Sequence, residues 1–418
     1  MSEPSIVNQP AGCRLCGELL EHMMLDLGMS PPCQNRVYEH ELNRMEAFYP
    51  LRVFLCENCF LVQLEEIVAP ESIFDDYAYF SSYSESWVLH AKNYVDMIIG
   101  RLNLGANSKV VELASNDGYL LQHFVARSIP CMGVEPAANV AQAAMEKGIP
   151  TTVQFFGAQT ARNIAAEFGQ ADLIVGNNVL AHVPDLNDFV KGIKILLAPG
   201  GVVTMEFPHL QRLFEENQFD TIYHEHFSYF SFVVAREVFA RHKMTLFDVQ
   251  ELKSHGGSIR IFGRHESDKS KPVQPSVPEL LQREKDKGYL DKGTYDAFTD
   301  KVRATKRDIL SFLIEQKNAG KRIVGYGAPG KGNTLLNYCG IREDFLDYTV
   351  DISPHKQGTY TPGTHIPVLS PDHLRVTRPD YILILPWNLT DEIVRRNSQV
   401  KEWGGKFVVP IPSVRVIN

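Results

Sequence analysis

Four consecutive residues, Tyr223-His224-Glu225-His226, set one phenol, two imidazoles and one carboxylate side by side. Neutral imidazole is the usual general base near neutral pH, and a neighbouring carboxylate can orient it. The phenol can hold or protonate an oxygen. A His-x-His pair can also ligate metal, but the helical histidine pair of metalloproteases is absent. A polar contact between domains is the plainer alternative. A second group of reactive residues lies near the start, in Cys13-Arg-Leu-Cys16-Gly17 and Cys56-Glu-Asn-Cys59. A Cys-x-x-Cys loop points two thiolates at one ion, and two such loops complete a tetrahedral zinc site. Gly17 suits the turn of such a knuckle. A site closed by Cys13, Cys16, Cys56 and Cys59 has no open position and would be structural. Pro31-Pro32-Cys33 lies in the long excursion between the pairs, which makes Cys33 an alternative ligand.

The third group surrounds a glycine. Val110-Val-Glu112-Leu-Ala114-Ser-Asn116-Asp-Gly118-Tyr-Leu-Leu121 reads as strand, tight loop and helix, the opening unit of a parallel α/β sheet. Gly118 lets a ligand approach the backbone. A second strand ends in Glu135-Pro136, where such folds hold ribose hydroxyls. The spacing suits NAD or S-adenosylmethionine, and the loop chemistry separates them. Pyrophosphate needs a Gly-x-Gly-x-x-Gly loop at a helix N-terminus. This loop has one glycine and an acid, which repels pyrophosphate and suits a sulfonium cation. An ordinary βα turn without ligand is the bland reading. The donor-binding candidates are Glu112, Ala114, Asn116, Gly118, Glu135 and Pro136. Asn177 and Asn178 join them from the end of a later strand, and Phe80 from an aromatic stretch.

These groups need a large scaffold. The chain has 418 residues, 44% hydrophobic and 22% charged, which suits a globular protein of about three domains. Its net charge of −8 argues against nucleic acid as the main partner. No apolar run is long enough to span a bilayer, and the start, Met-Ser-Glu-Pro-Ser, lacks the basic and apolar regions of a signal peptide. The expected location is the cytoplasm. Seven cysteines, four of them in two tight pairs, point to metal rather than to a disulfide framework.

The positioning elements follow in order. Phe74 to Ser84 is dense in rings and hydroxyls, including Tyr77, Tyr79 and Phe80, and such exposed rings cover a ligand, a partner or a domain junction. The spacing of Trp87, Val88, Ala91, Tyr94, Val95 and Ile98 predicts an amphipathic helix to Leu102. Asp172 to Asn178 is a strand, followed by His182, and residues at the carboxyl ends of parallel strands line the ligand crevice. Thr245–Val249 and Ser258–Phe262 form a closing hairpin around Ser254-His-Gly-Gly257. Glu266 to Pro278 reads as a proline-rich linker. After it, Phe298, Val302, Thr305, Ile309, Phe312 and Leu313 mark a helix. Gly325-Tyr-Gly327-Ala-Pro-Gly330-Lys331-Gly-Asn333 then follows a strand, with Asp351 ending the next one, as in a second Rossmann-like domain. Lys331 and nearby amides could hold a phosphate there. The two α/β halves suggest an internal duplication.

Taken together, the paired cysteines, the Val-Glu-Leu-Ala-Ser-Asn-Asp-Gly loop, Tyr-His-Glu-His-Phe-Ser-Tyr and Gly-Tyr-Gly-Ala-Pro-Gly-Lys-Gly resemble the S-adenosylmethionine-dependent nucleotide-sugar C-methyltransferases, along nearly the whole chain. The resemblance implies a zinc domain (1–70), a Rossmann-like class I methyltransferase domain (71–265), the linker (266–278) and a second Rossmann-like α/β domain (279–418) that assists nucleotide-sugar binding. It implies methyl transfer to a ring carbon, carbon 3 being the expectation, beside the keto group of an NDP-4-keto-deoxyhexose. By the same resemblance Tyr77, His182, Tyr223, Glu225 and His226 surround the sugar, with His226 as base. Tyr79, His224, Lys331 and Asn333 complete the expected substrate set. Two alternatives stay open: an NAD-dependent dehydrogenase using the Gly325-Gly327-Gly330 loop, and a zinc-module methyltransferase acting on RNA. The sugar, the nucleotide and the oligomeric state are left open, a monomer being compatible.

Overall fold

A computed structural model describes residues 12–67 and 80–417. The chain forms two compact units, each assembled from separated segments. The first comprises residues 1–22, 55–209 and 227–290; the second comprises 23–54, 210–226 and 291–418. Among the described residues, no helix is long and apolar enough to cross a membrane.

The first unit is built on a seven-stranded sheet. Its strands are β1 (Val110–Leu113), β2 (Cys131–Val134), β3 (Thr151–Thr152), β4 (Ala171–Asn177), β5 (Leu197–Pro208), β6 (Met244–Leu252) and β7 (Ser258–His265). Their spatial order is β6-β7-β5-β4-β1-β2-β3. The pairs β1–β2, β1–β4, β2–β3 and β4–β5 are parallel. β7 runs antiparallel to both β5 and β6. All four residues of β1 are buried, as a central parallel strand covered on both faces requires. Helix α1 (Glu85–Leu102) begins where the Ser84 side chain accepts a hydrogen bond from Trp87 N, and ends at Asn103 in the left-handed region. Its buried face is Trp87, Ala91, Tyr94, Val95 and Ile98, as the spacing predicts, with Val88 packed at the margin.

The proline-rich stretch is not a linker. Gln274 N donates to Phe247 O and Ser276 Oγ to Asp248, and a helix already starts at Ser276. From that helix the buried Glu284 accepts hydrogen bonds from Phe232 N, Val233 N and His209 Nε2. A carboxylate that stabilises the start of a helix in the first unit ties its own segment to that unit. The boundary therefore falls at residues 290–291 rather than 266–278. The expected zinc domain is likewise divided, since residues 23–54 belong to the second unit.

The second unit holds β8 (Ile323–Tyr326), β9 (Thr349–Val350), β10 (Val368–Leu369), β11 (Tyr381–Ile384), β12 (Lys406–Val409) and β13 (Arg415–Ile417), in the order β10-β9-β8-β11-β12-β13. All pairs are parallel except β12–β13. Helix α2 (Lys292–Asn318) buries Tyr295, Phe298, Val302, Thr305, Ile309 and Leu313 at helical spacing. Helix α3 (Gly330–Cys339) follows β8 directly.

Candidate active site and metal centre

In the metal module, Cys13, Cys16, Cys56 and Cys59 place their sulfurs within 4.8 Å of one another. The Cys13–Cys59 and Cys16–Cys56 sulfur pairs are each 3.5 Å apart. Tetrahedral zinc with Zn–S bonds of about 2.3 Å needs sulfur edges of roughly 3.8 Å, so the residues fit the ion. The two knuckles are built alike. Gly17 N donates to Cys13 O and Phe60 N to Cys56 O, with positive φ at both Gly17 and Phe60. Gln63 Nε2 donates to Cys13 Sγ at 3.1 Å and orients it. The sulfurs alone are electrostatically frustrated. The hydrogen bond from Cys59 pulls Cys13 down to about 4, while burial pushes Cys56 up to about 11 and the Cys13 contact pushes Cys59 higher still. A divalent cation resolves this by holding all four as thiolates. Cys33 is no ligand of this site: its thiol lies in the second unit, 3.5 Å from Glu225 Oε1.

In the first unit, the loop after β1 is unusually strained. Ala114 (φ 54°), Asn116 (φ 51°) and Gly118 (φ 76°) are all left-handed. Gly118 is needed for a reason other than ligand approach. A Cβ there would lie 2.2 Å from Ile149 Cδ1 and 3.4 Å from Ala144 Cβ, so the glycine serves packing against the fold as well as its positive φ. Asn116 N and Ala137 N donate to the two oxygens of Glu135, which fixes that carboxylate at the tip of β2, with Pro136 half-buried beside it. Asn116 Oδ1 accepts from Ser81 N and Asp117 Oδ2 from Ser82 N, so the segment after Phe80 lies over the loop.

Glu112 is fully buried. Burial, then the charges of Glu135 and Asp117, hold its carboxyl well above the usual range. With the Glu112 carboxyl held neutral, the acidic groups left around the loop are Glu135 and Asp117, the latter 3.3 Å from Lys147. Asn177 Nδ2 donates to the Tyr119 hydroxyl at 3.4 Å. Asn178, left-handed at φ 54°, bonds through its amide to His255. His182 closes a 3-10 turn, its N–H donating to Val179 O. Tyr77 and Tyr79 lie outside the described residues.

Sequence reasoning missed the polar cluster beside these residues. Glu206, fully buried on β5, accepts from His90 Nε2 at 3.0 Å, Ser254 Oγ at 2.7 Å and Arg260 Nη2 at 2.5 Å. Burial opposes its ionisation, yet the His90 hydrogen bond and the Arg260 charge bring its carboxyl down to about 2.

In the second unit, His226 Nδ1 donates to Thr221 O at 3.0 Å, a tautomer that puts the ring's lone pair on Nε2. The Tyr223 ring lies 4.1 Å from the His226 ring. Glu225 is buried, and burial pushes its carboxyl up to about 7, the Cys33 contact partly opposing this. His224 differs. Its Nε2 bonds Pro50 O at 3.2 Å, its ring packs edge-on to Tyr49, and burial lowers its pKa.

Lys331 is not an open phosphate ligand. Its ammonium lies 4.3 Å from the centre of the Trp387 ring and bonds Asn388 Oδ1. Burial lowers it to about 8, against the charge of Asp220, which burial itself raises to about 7. Trp387 Nε1 donates to Asp220 at 2.7 Å. Asn333 Nδ2 donates to Cys33 O at 2.7 Å. The three glycines before α3 serve packing. A Cβ would lie 2.6 Å from Thr349 Oγ1 at Gly325, 2.6 Å from Pro386 Cδ at Gly327 and 2.9 Å from Cys33 Sγ at Gly330. Packing of the unit on itself therefore accounts for all three glycines without a bound dinucleotide.

Comparison with known proteins agrees with this architecture. Residues 13–74 match a zinc binding domain family, 90–240 a methyltransferase domain family, and 253–412 the family described as C-methyltransferase C-terminal domain. The chain is 36% identical over 409 residues to the C-methyltransferase NovU of Streptomyces niveus, covering 97% of this chain and 96% of that one. A ubiquinone biosynthesis O-methyltransferase of Xanthomonas oryzae is 29% identical over 117 residues, 27% of this chain and 48% of its own. Among solved structures, a methyltransferase of Thermotoga maritima aligns with 48% of this chain and all of its own, at 16% identity and TM-score 0.34. The glycopeptide N-methyltransferase MtfA aligns with 42% of this chain and 96% of its own, at 11% identity and TM-score 0.35. The chain belongs to the S-adenosylmethionine-dependent C-methyltransferase family. It is an enzyme of that class with a four-cysteine zinc module.

Proposed function

We propose that the protein methylates the ring carbon beside the keto group of an NDP-4-keto-deoxyhexose, at carbon 3, through an enolate. The observation that carries this reading is His226, whose Nδ1 is committed to Thr221 O, next to Tyr223 and the buried Glu225. O-methylation needs only a hydroxyl deprotonated, whereas C-methylation needs a base for a C–H and donors for the adjacent oxygen. In this reading His226 Nε2 takes the proton, and the C–H electrons move into the ring as the keto oxygen gains charge. Tyr223 donates a hydrogen bond to that oxygen, and Glu225 orients a nearby donor. The enolate carbon then takes the methyl, and the C–S electrons leave with sulfur. S-adenosylmethionine supplies the electrophilic methyl on its sulfonium. Tyr77, Tyr79 and His182 are proposed sugar contacts, and His224 a contact held by Pro50.

Glu112, Ala114, Asn116, Gly118, Glu135, Pro136, Asn177, Asn178 and Phe80 are proposed to hold the donor, with Glu135 on the ribose hydroxyls. Removing a charged acceptor costs about 1.5–3 kcal/mol, so Glu135→Ala should weaken calorimetric affinity for S-adenosylmethionine by at least tenfold. Unchanged affinity would refute the placement. Lys331 and Asn333 are proposed to serve the nucleotide-diphosphate side of the substrate, an anion that would draw the Lys331 ammonium from Trp387 and Asn388. Lys331→Ala should raise KM for the sugar and leave that for the donor alone; the reverse pattern would sink this role. The reading as a whole is tested with methyl-labelled donor and an NDP-4-keto-6-deoxyhexose. Carbon NMR of the product should show the label on a ring carbon, and a label on oxygen would overturn it.

A further inference from the structure

We infer that His255 is a positioning residue for the methyl donor: it fixes the Asn178 amide so that the opposite end of that amide is aimed at the donor's α-ammonium group. The inference rests on the reading of Asn178 as a donor-binding residue. Asn178 Nδ2 donates to His255 Nε2 at 2.9 Å, while Asn178 Oδ1 is buried without a hydrogen-bond partner among the described residues. A buried acceptor left over is costly unless a ligand supplies a donor. An ammonium is such a donor, and the loop that carries Asp117 and is bonded by Glu135 leaves the carboxyl end of β1, the parallel neighbour of β4.

Both partners sit in strained backbone. Asn178 has φ 54° and His255 φ 53°, and Gly256 and Gly257 continue the turn at φ 89° and 116°. Non-glycine residues in the left-handed region persist only where their surroundings impose it. Here Glu206 imposes it on both. Its main-chain oxygen accepts from Asn178 N at 2.7 Å, and its carboxylate accepts from Ser254 Oγ at 2.7 Å, at the base of the turn carrying His255. His90 and Arg260 hold that carboxylate in turn. The Trp87 ring lies 4.8 Å from His255, edge to face, and 4.9 Å from His90, stacked. One buried residue thus bonds the end of β4 through its main chain and the β6–β7 turn through its carboxylate, and the Asn178–His255 bond joins the two.

The test is calorimetric titration of the full-length, zinc-loaded protein with S-adenosylhomocysteine, which needs no sugar substrate. His255→Phe keeps a ring against Trp87 and loses the nitrogen; His255→Gln keeps an acceptor near the Nε2 position. His255→Phe should weaken binding about tenfold and His255→Gln by less than about twofold, at similar thermal midpoints. In an Asn178→Ala background, His255→Phe should cost nothing further, since the two act as one unit. Wild-type affinity in His255→Phe, equal losses in Phe and Gln, or additive losses in the double variant would each overturn the proposal. If His255→Phe does not fold, Ser254→Ala should show the same loss, and its failure to do so overturns the proposal equally. Asn178→Ala with undiminished affinity would instead refute the assignment of Asn178 to the donor.

Discussion

His226→Gln should lower turnover by roughly 100- to 10,000-fold, the usual cost of losing a general base, while the sugar nucleotide and the donor still bind. The structure separates this histidine from its neighbour. His226 gives Nδ1 to Thr221 O beside Tyr223, a bond that selects the tautomer with a basic Nε2. His224 gives Nε2 to Pro50 O, and its buried Nδ1 has no hydrogen-bond partner among the described residues. Burial also lowers the pKa of His224, which weakens it as a base. His224→Gln should therefore cost stability more than turnover. Near-normal turnover in His226→Gln, with loss in His224→Gln, would exchange the two roles.

Removing zinc should have an equally large effect, on the fold rather than the chemistry. Structural zinc contributes on the order of 10 kcal/mol of apparent binding free energy, much of it folding free energy. The module relies on it: four sulfurs lie within 4.8 Å, with knuckles that carry positive φ at Gly17 and Phe60. Metal analysis of protein purified without chelator should give one zinc per chain. Chelation, or Cys13→Ser, should lower the thermal midpoint and expose the N-terminal segment to protease, with no specific change in the pH dependence of any remaining turnover. Protein without stoichiometric zinc would end this account of the cysteines.

Features written in local sequence were readable in advance. Helix α1 shows its buried face at helical spacing, β1 and its loop carry their own turn residues, and the four cysteines declare their geometry by pairing. The cluster around Glu206 was not readable, because its partners are 116 residues away at His90 and 54 away at Arg260. A glutamate within an apolar strand announces neither. His255 was hidden for another reason: Ser-His-Gly-Gly between two strands reads as an ordinary hairpin turn, and only the fold shows what the turn presents. The Gly325-Gly327-Gly330 pattern marked the second α/β sheet but left its ligand open, since close packing against Thr349, Pro386 and Cys33 demands the same residue as a phosphate loop does. The unit boundaries escaped because contiguous runs were assumed, whereas Glu284 ties a helix beyond the proline-rich stretch back to residues 209, 232 and 233.

The central claim is that a carbon acid is deprotonated before the methyl moves. It is tested most directly by incubating the wild-type enzyme and the keto sugar nucleotide in deuterated water with S-adenosylhomocysteine in place of the donor. Proton NMR should show exchange of the one hydrogen on the carbon to be methylated, absent with His226→Gln. No exchange in the wild type, with the same enzyme placing methyl on a sugar oxygen when the donor is supplied, would contradict the account.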